Sequence, residues 1–80
     1  MVIKHAVYGD LDGGKSVDVT KKVADAVRDG ALSIRADNSV FGDPAYGRTK
    51  KLKVDYSYGG VDKFKTIVEN QTLTISKTGE

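Results

Sequence analysis

Two alternating runs joined by a pair of glycines constrain this chain more than any other feature. Lys50 to Tyr58 sets Leu52, Val54, Tyr56 and Tyr58 against Lys51, Lys53, Asp55 and Ser57. A period of two fits a half-buried strand and not a helix. Gly59-Gly60 follows, and Val61 to Val68 is the second run, so the segment reads as an antiparallel hairpin. Two turn lengths compete. A two-residue turn pairs Tyr58 with Val61 and sets Lys63 and Lys65 beside Tyr56 and Val54. A three-residue loop, Tyr58-Gly59-Gly60, pairs Val54 with Phe64 and Asp55 with Lys63. The second register sets apolar beside apolar and joins opposite charges, so it is the preferred expectation. It makes Val54 and Phe64 buried partners, with Phe64→Ala costing about 3–5 kcal/mol.

The rest of the chain is cut into similar short pieces. Residues 2–8 alternate, with Ile3 and Val7 expected to face the core and His5 between them. The stretch 9–15 is a turn-rich loop. Residues 16–20 are extended and lead into one helical pattern of about ten residues, with Thr20 as N-cap, Val23, Ala26 and Val27 on one face, and Gly30 as the stop. Ala31 to Ala36 is a strand with Leu32 and Ile34 inward. Residues 37–48 form the longest irregular stretch. Glu69-Asn70-Gln71 is a turn, Thr72 to Ser76 is a last strand with Leu73 and Ile75 inward, and 76–80 read as a frayed tail. Nine of the eleven acids are Asp, which favours turns and caps over helix interiors. The expected fold is mainly β: residues 1–80 as a single domain, a small antiparallel β-sandwich of five to six strands with one short helix.

Several function classes lose their chemistry here. With no Cys there are no disulfides, thiolate zinc sites or Cys nucleophiles, and one His, His5, excludes two-histidine metal motifs. A net charge of +2 is too small to argue for nucleic acid or an anionic membrane on its own. No apolar run reaches the ~18 residues of a membrane-spanning helix. Met1 leads straight into a strand-like segment, so no secretory signal is expected.

The order of the strand and turn residues is itself informative. Tyr8-Gly9 ends the first strand, and Asp18-Val19-Thr20 opens the helical segment. Phe41-Gly42-Asp43-Pro44 is followed by Gly47, then by Lys51-Leu52-Lys53-Val54-Asp55-Tyr56, Gly60-Val61, and Glu69 before Leu73-Thr74-Ile75. Over roughly residues 6–75 the chain resembles the domain of unknown function at the C-terminus of the DnaJ-like subfamily C member 11 proteins, which also occurs as a free-standing microbial module. That resemblance implies a β-rich interaction module with no assigned activity. The chain holds no J-domain and no His-Pro-Asp tripeptide, so Hsp70 stimulation and mitochondrial placement do not carry over.

Each candidate site competes with a plainer reading. His5 is the one neutral-pH acid or base, yet its mid-strand place favours a structural or merely exposed role, and no catalytic residue is assigned. Asp10 and Asp12 offer alternate oxygens, as a calcium loop does. Position twelve counted from Asp10 is Lys21, so no EF-hand follows, and turn chemistry is the weightier reading. Arg48, Lys50, Lys51, Lys53, Lys63 and Lys65, with Tyr56, Tyr58 and Phe64 nearby, could form a nucleic-acid platform. A solvated face that guards strand edges outweighs it. Asn70-Gln71-Thr72 is a formal glycosylation sequon without a supporting context. In the 37–48 loop, Asn38, Phe41, Asp43 and Tyr46 combine flat apolar rings with directional polar groups, a mixture suited to a peptide or a sugar. Phe41 is the expected plug of the sandwich end and Tyr46 the expected contact.

The expected function is a non-enzymatic binding or assembly module without a cofactor, acting through a protein partner or self-association. The alternative is a carbohydrate-binding module that uses the 37–48 loop.

Overall fold

The computed structural model describes residues 1–42 and 49–77. It is a sandwich of two antiparallel sheets. The strands are β1 (Val2–Gly9), β2 (Ser16–Asp18), β3 (Val27–Arg28), β4 (Ala31–Arg35), β5 (Lys51–Tyr58), β6 (Val61–Val68) and β7 (Thr72–Ile75), with two short helices, α1 (Thr20–Asp25) and α2 (Asn38–Phe41). One sheet runs β2-β1-β5-β6 and the other β3-β4-β7. Ala6, Tyr8, Leu52, Val54 and Tyr56 from the first sheet and Leu32, Leu73 and Ile75 from the second form one core, with Val19, Val23, Ala36 and Phe41 completing it. The β-rich sandwich stands as expected; the added strand is β3 and the added helix is α2.

Four local expectations are corrected, each for a physical reason. In β1 the core face carries Ala6 and Tyr8, while Val7 and His5 lie on the other face. The ladder to β5 slips between Ile3 and His5, where Lys4 is the extra residue of a bulge. A bulge shifts the alternation by one, so Ile3 packs on the core before it and Ala6 and Tyr8 after it.

The central hairpin takes the other register. Tyr58 pairs with Val61, Tyr56 with Lys63, Asp55 with Phe64 and Val54 with Lys65. Gly59 and Gly60 have φ of 59° and 82°, the left-handed pair of a two-residue type I′ turn, whose twist matches the strands it joins. Val54 and Phe64 are therefore not buried partners: Val54 is in the core, and Phe64 is 66% exposed. Lys63 and Lys65 are tolerated on the core-facing side because β6 is the edge strand. Both are half-buried, and the Lys65 Nζ donates to the Thr74 carbonyl of the facing sheet at 3.1 Å.

The helix is shorter than its periodicity suggests. α1 ends at Asp25, and Val27–Arg28 pair with Leu32 and Ala31 as a strand. Asp29 and Gly30, with φ of 53° and 77°, form the hairpin turn, so Gly30 serves a β-turn and not a helix stop. Thr20 is the first helical residue and not the cap. Its hydroxyl accepts from the Ala6 N–H at 2.9 Å and ties the helix start to β1. The 37–48 segment is not wholly irregular either. Asp37 caps α2 by accepting the Ser39 N–H at 2.9 Å.

One corner sets the position of β6. Lys50, just before β5, is buried with its ammonium 3.4 Å from Glu69, and the Glu69 N–H donates to the Lys50 carbonyl at 2.8 Å. The Glu69-Asn70-Gln71 turn then carries the chain to the other sheet. Its Asn70 N–H donates to the Ala36 carbonyl and the Ala36 N–H to the Gln71 carbonyl.

Candidate functional site

The outer face of the four-stranded sheet collects the chain's exposed chemistry in cross-strand rows. One row runs Asp18, Val7, Lys53, Thr66; the next runs His5, Asp55, Phe64; a third runs Val2, Ser57, Asp62. Cross-strand neighbours on one face interact directly. Lys4, placed by the bulge, reaches Asp62 at 2.8 Å. Lys53 holds its ammonium 5.4 Å from the Phe64 ring centre, within cation–π range. Lys4, Asp55, Tyr56, Asp62, Lys63 and Phe64 line an open hollow at the β6 side of this face.

His5 Nε2 lies 3.4 Å from Asp18 Oδ2, and both side chains are more exposed than buried. Asp18 sits below the ordinary carboxylate range. The largest cause is the Thr20 backbone N–H that it accepts, with His5 a smaller one. The Thr20 hydroxyl lies on the Asp18 side of the pair, hydrogen-bonded to the carboxylate and to the Ala6 backbone.

The loop residues singled out from the sequence separate. Asn38 Oδ1 accepts the Tyr8 hydroxyl at 2.8 Å, and the Phe41 and Tyr8 ring centres are 5.0 Å apart at a tilt of 42°. Phe41 is 5% exposed, so this half of the loop packs on the end of the sandwich. Asp43 and Tyr46 lie outside the described residues, as does Arg48. In the 9–15 loop Asp10 Oδ1 accepts the Asp12 N–H at 3.2 Å, an Asx-type turn, and Asp12 is ion-paired to Lys51 at 3.0 Å. Among the described residues no group of three or more His, Cys, Asp or Glu side chains is placed to hold a metal ion.

The basic stripe is divided. Lys51 and Lys53 share the outer face with Phe64, Lys63 and Lys65 project from the core-facing side, and Lys50 is buried. The residues that sequence reasoning misplaced are those of β6, where Val61, Phe64 and Val68 are exposed on one strand. The Gly-Gly pair at the turn was the signal for that register.

No helix among the described residues is long and apolar enough to cross a membrane. The family model described as DnaJ-like protein C11, C-terminal, matches residues 1–76, and the chain belongs to that family. No significant match is found among curated proteins or among solved structures.

Proposed function

We infer that this domain is a non-enzymatic interaction module that engages another protein through the β6 side of its four-stranded sheet. One observation carries the reading. β6, an edge strand of eight residues, exposes Val61 at 56%, Phe64 at 66% and Val68 at 38%. Phe64 and Val68 share the outer face, and Val61 lies on the other side at the turn end, so this uncovered strand offers large apolar side chains on both of its faces. Phe64 has the character of an interface anchor: a large rigid ring, already flanked by the Lys53 ammonium. The ion pairs Lys4–Asp62 and His5–Asp18 supply a polar rim to the same face.

The His5–Asp18 pair is open to solvent, and the hydroxyl beside it, that of Thr20, bonds the carboxylate, which is not the order of a hydroxyl–imidazole–carboxylate triad. The carbohydrate alternative has weaker support, because Asn38 and Phe41 are turned to Tyr8.

The test places a photo-cross-linking residue at Phe64 and, separately, at Ser33 on the opposite sheet. A discrete protein adduct from position 64 and none from position 33 is expected, together with a blank glycan array. Sugar binding that is lost in Tyr46→Ala would replace this reading with the carbohydrate one.

A further inference from the structure

We propose that β6 takes up an extended acidic segment of a partner protein as a fifth strand of the β2-β1-β5-β6 sheet; this rests on the interaction-module reading and gives its binding mode and the chemistry of the partner. The hydrogen-bonding direction along β6 is fixed from both ends. In a two-residue turn the closing pair, Tyr58 and Val61, is hydrogen-bonded, and alternate residues follow it. At the far end the Glu69 N–H donates to Lys50 at 2.8 Å, toward β5, while the Val68 N–H donates to Gln71 Oε1 at 3.0 Å, away from it. Val61, Lys63, Lys65 and Ile67 thus point their backbone groups at β5. Asp62, Phe64 and Thr66 point theirs outward, and among the described residues β6 pairs with β5 alone. The other three sheet edges are shorter: β2 has three residues, β3 two and β7 four.

An edge of this length is a template for a further strand. Its lysines decide which one. Antiparallel pairing with a second copy, centred on Phe64, sets Lys63 opposite the other copy's Lys65 twice. Shifting the centre to Lys63 or Lys65 sets that lysine opposite itself. Like charges directly opposite are destabilising, so a second copy is disfavoured in these three central registers. A strand with carboxylates at alternate positions meets Lys63 and Lys65 with opposite charge. Lys65 uses one of its three donors on Thr74, which leaves two for a carboxylate. The alternate side chains of that strand fall on the outer face beside Phe64, where an apolar residue completes the patch.

The experiment titrates the intact chain with a synthetic peptide of about eight residues alternating Glu and Val, a length that spans one strand, and with its Lys-Val counterpart. Backbone amide exchange and chemical shifts are followed. The acidic peptide is expected to slow exchange at Asp62, Phe64 and Thr66, and the basic one to leave them unchanged. Affinity should fall roughly tenfold or more in the double variant Lys63→Glu, Lys65→Glu, where attraction becomes repulsion. Thr66→Pro should have a similar effect, because it removes an outward N–H and leaves the bonds to β5 intact. If Thr66→Pro lowers the thermal midpoint, the lysine pair alone decides. Equal effects of both peptides, or an acidic peptide that perturbs another surface, would overturn the proposal. So would concentration-dependent protection of the same three amides without peptide, which would make the occupant a second copy. A partner cross-linked from position 64 while the acidic peptide leaves β6 untouched would sink this mode and leave the interaction reading standing.

Discussion

Phe64 lies opposite Asp55 and beneath the Lys53 ammonium, on the solvent side of the sheet. Its ring therefore contributes little to the core. Phe64→Ala should cost about 1 kcal/mol or less, the scale of a surface change with one exposed cation–π contact. Leu52→Ala, on the core side of the neighbouring strand, should cost about 2–5 kcal/mol. Urea denaturation of the two variants checks the contrast. A Phe64→Ala loss comparable with that of Leu52→Ala would place the ring inside and return the hairpin to the three-residue register.

The turn itself separates the two registers. Gly59 and Gly60 both have positive φ, so an alanine at either position should destabilise by about 1 kcal/mol. Asparagine accepts the left-handed conformation, and Asn-Gly is the favoured type I′ pair. Gly59→Asn should therefore leave the thermal midpoint close to that of the parent. Equal losses for Gly59→Asn and Gly59→Ala would argue against a type I′ turn.

Much of the sandwich was legible because its signals are local. Leu32, Leu73 and Ile75 alternate within short strands bounded by turn residues, and all three are buried. What escaped were features set by partners far along the chain. The bulge at Lys4 is a feature of the ladder to β5, and no pattern within residues 2–8 announces it. Pairing apolar with apolar misplaces the β6 register because it assumes that both strands are covered. β6 is an edge, where lysine stems can lie on the core side and their heads escape. Val27 has helical spacing from Val23, whereas the Asp29-Gly30 turn places it in a hairpin. At the candidate site, Phe41 was legible as a plug, and the exposure of Phe64 became visible only with the register.

Tyr8 joins the first strand to α2 through its hydroxyl and its ring. Asn38→Ala should cost about 1 kcal/mol from the lost hydrogen bond. In a double-mutant cycle with Tyr8→Phe the two losses should be less than additive, because both remove the same bond. Strict additivity would mean that the Tyr8–Asn38 bond contributes nothing.

Acid should weaken the fold through Asp18 and Asp37. Each is held below the ordinary carboxylate value, chiefly by a backbone N–H that it accepts, from Thr20 and from Ser39 respectively. Their folded-state pKa values are lower than their unfolded ones, so the unfolded chain binds more protons as pH falls. The stabilisation is fully present above the unfolded value near 3.8 and is lost as pH drops through the lower folded values. A double variant, Asp18→Asn with Asp37→Asn, should show a shallower fall of the thermal midpoint below about pH 4 than the parent. An unchanged slope would assign acid sensitivity to other carboxylates.

The central claim is that β6 is a free edge in the two-residue register, and amide hydrogen exchange along that strand in the isolated protein tests it most directly. The account expects slow exchange at Lys63, Lys65 and Ile67, whose N–H groups bond to β5, and fast exchange at Asp62, Phe64 and Thr66, which face solvent. The opposite alternation, or uniform slow exchange along the whole strand at low protein concentration, would contradict it.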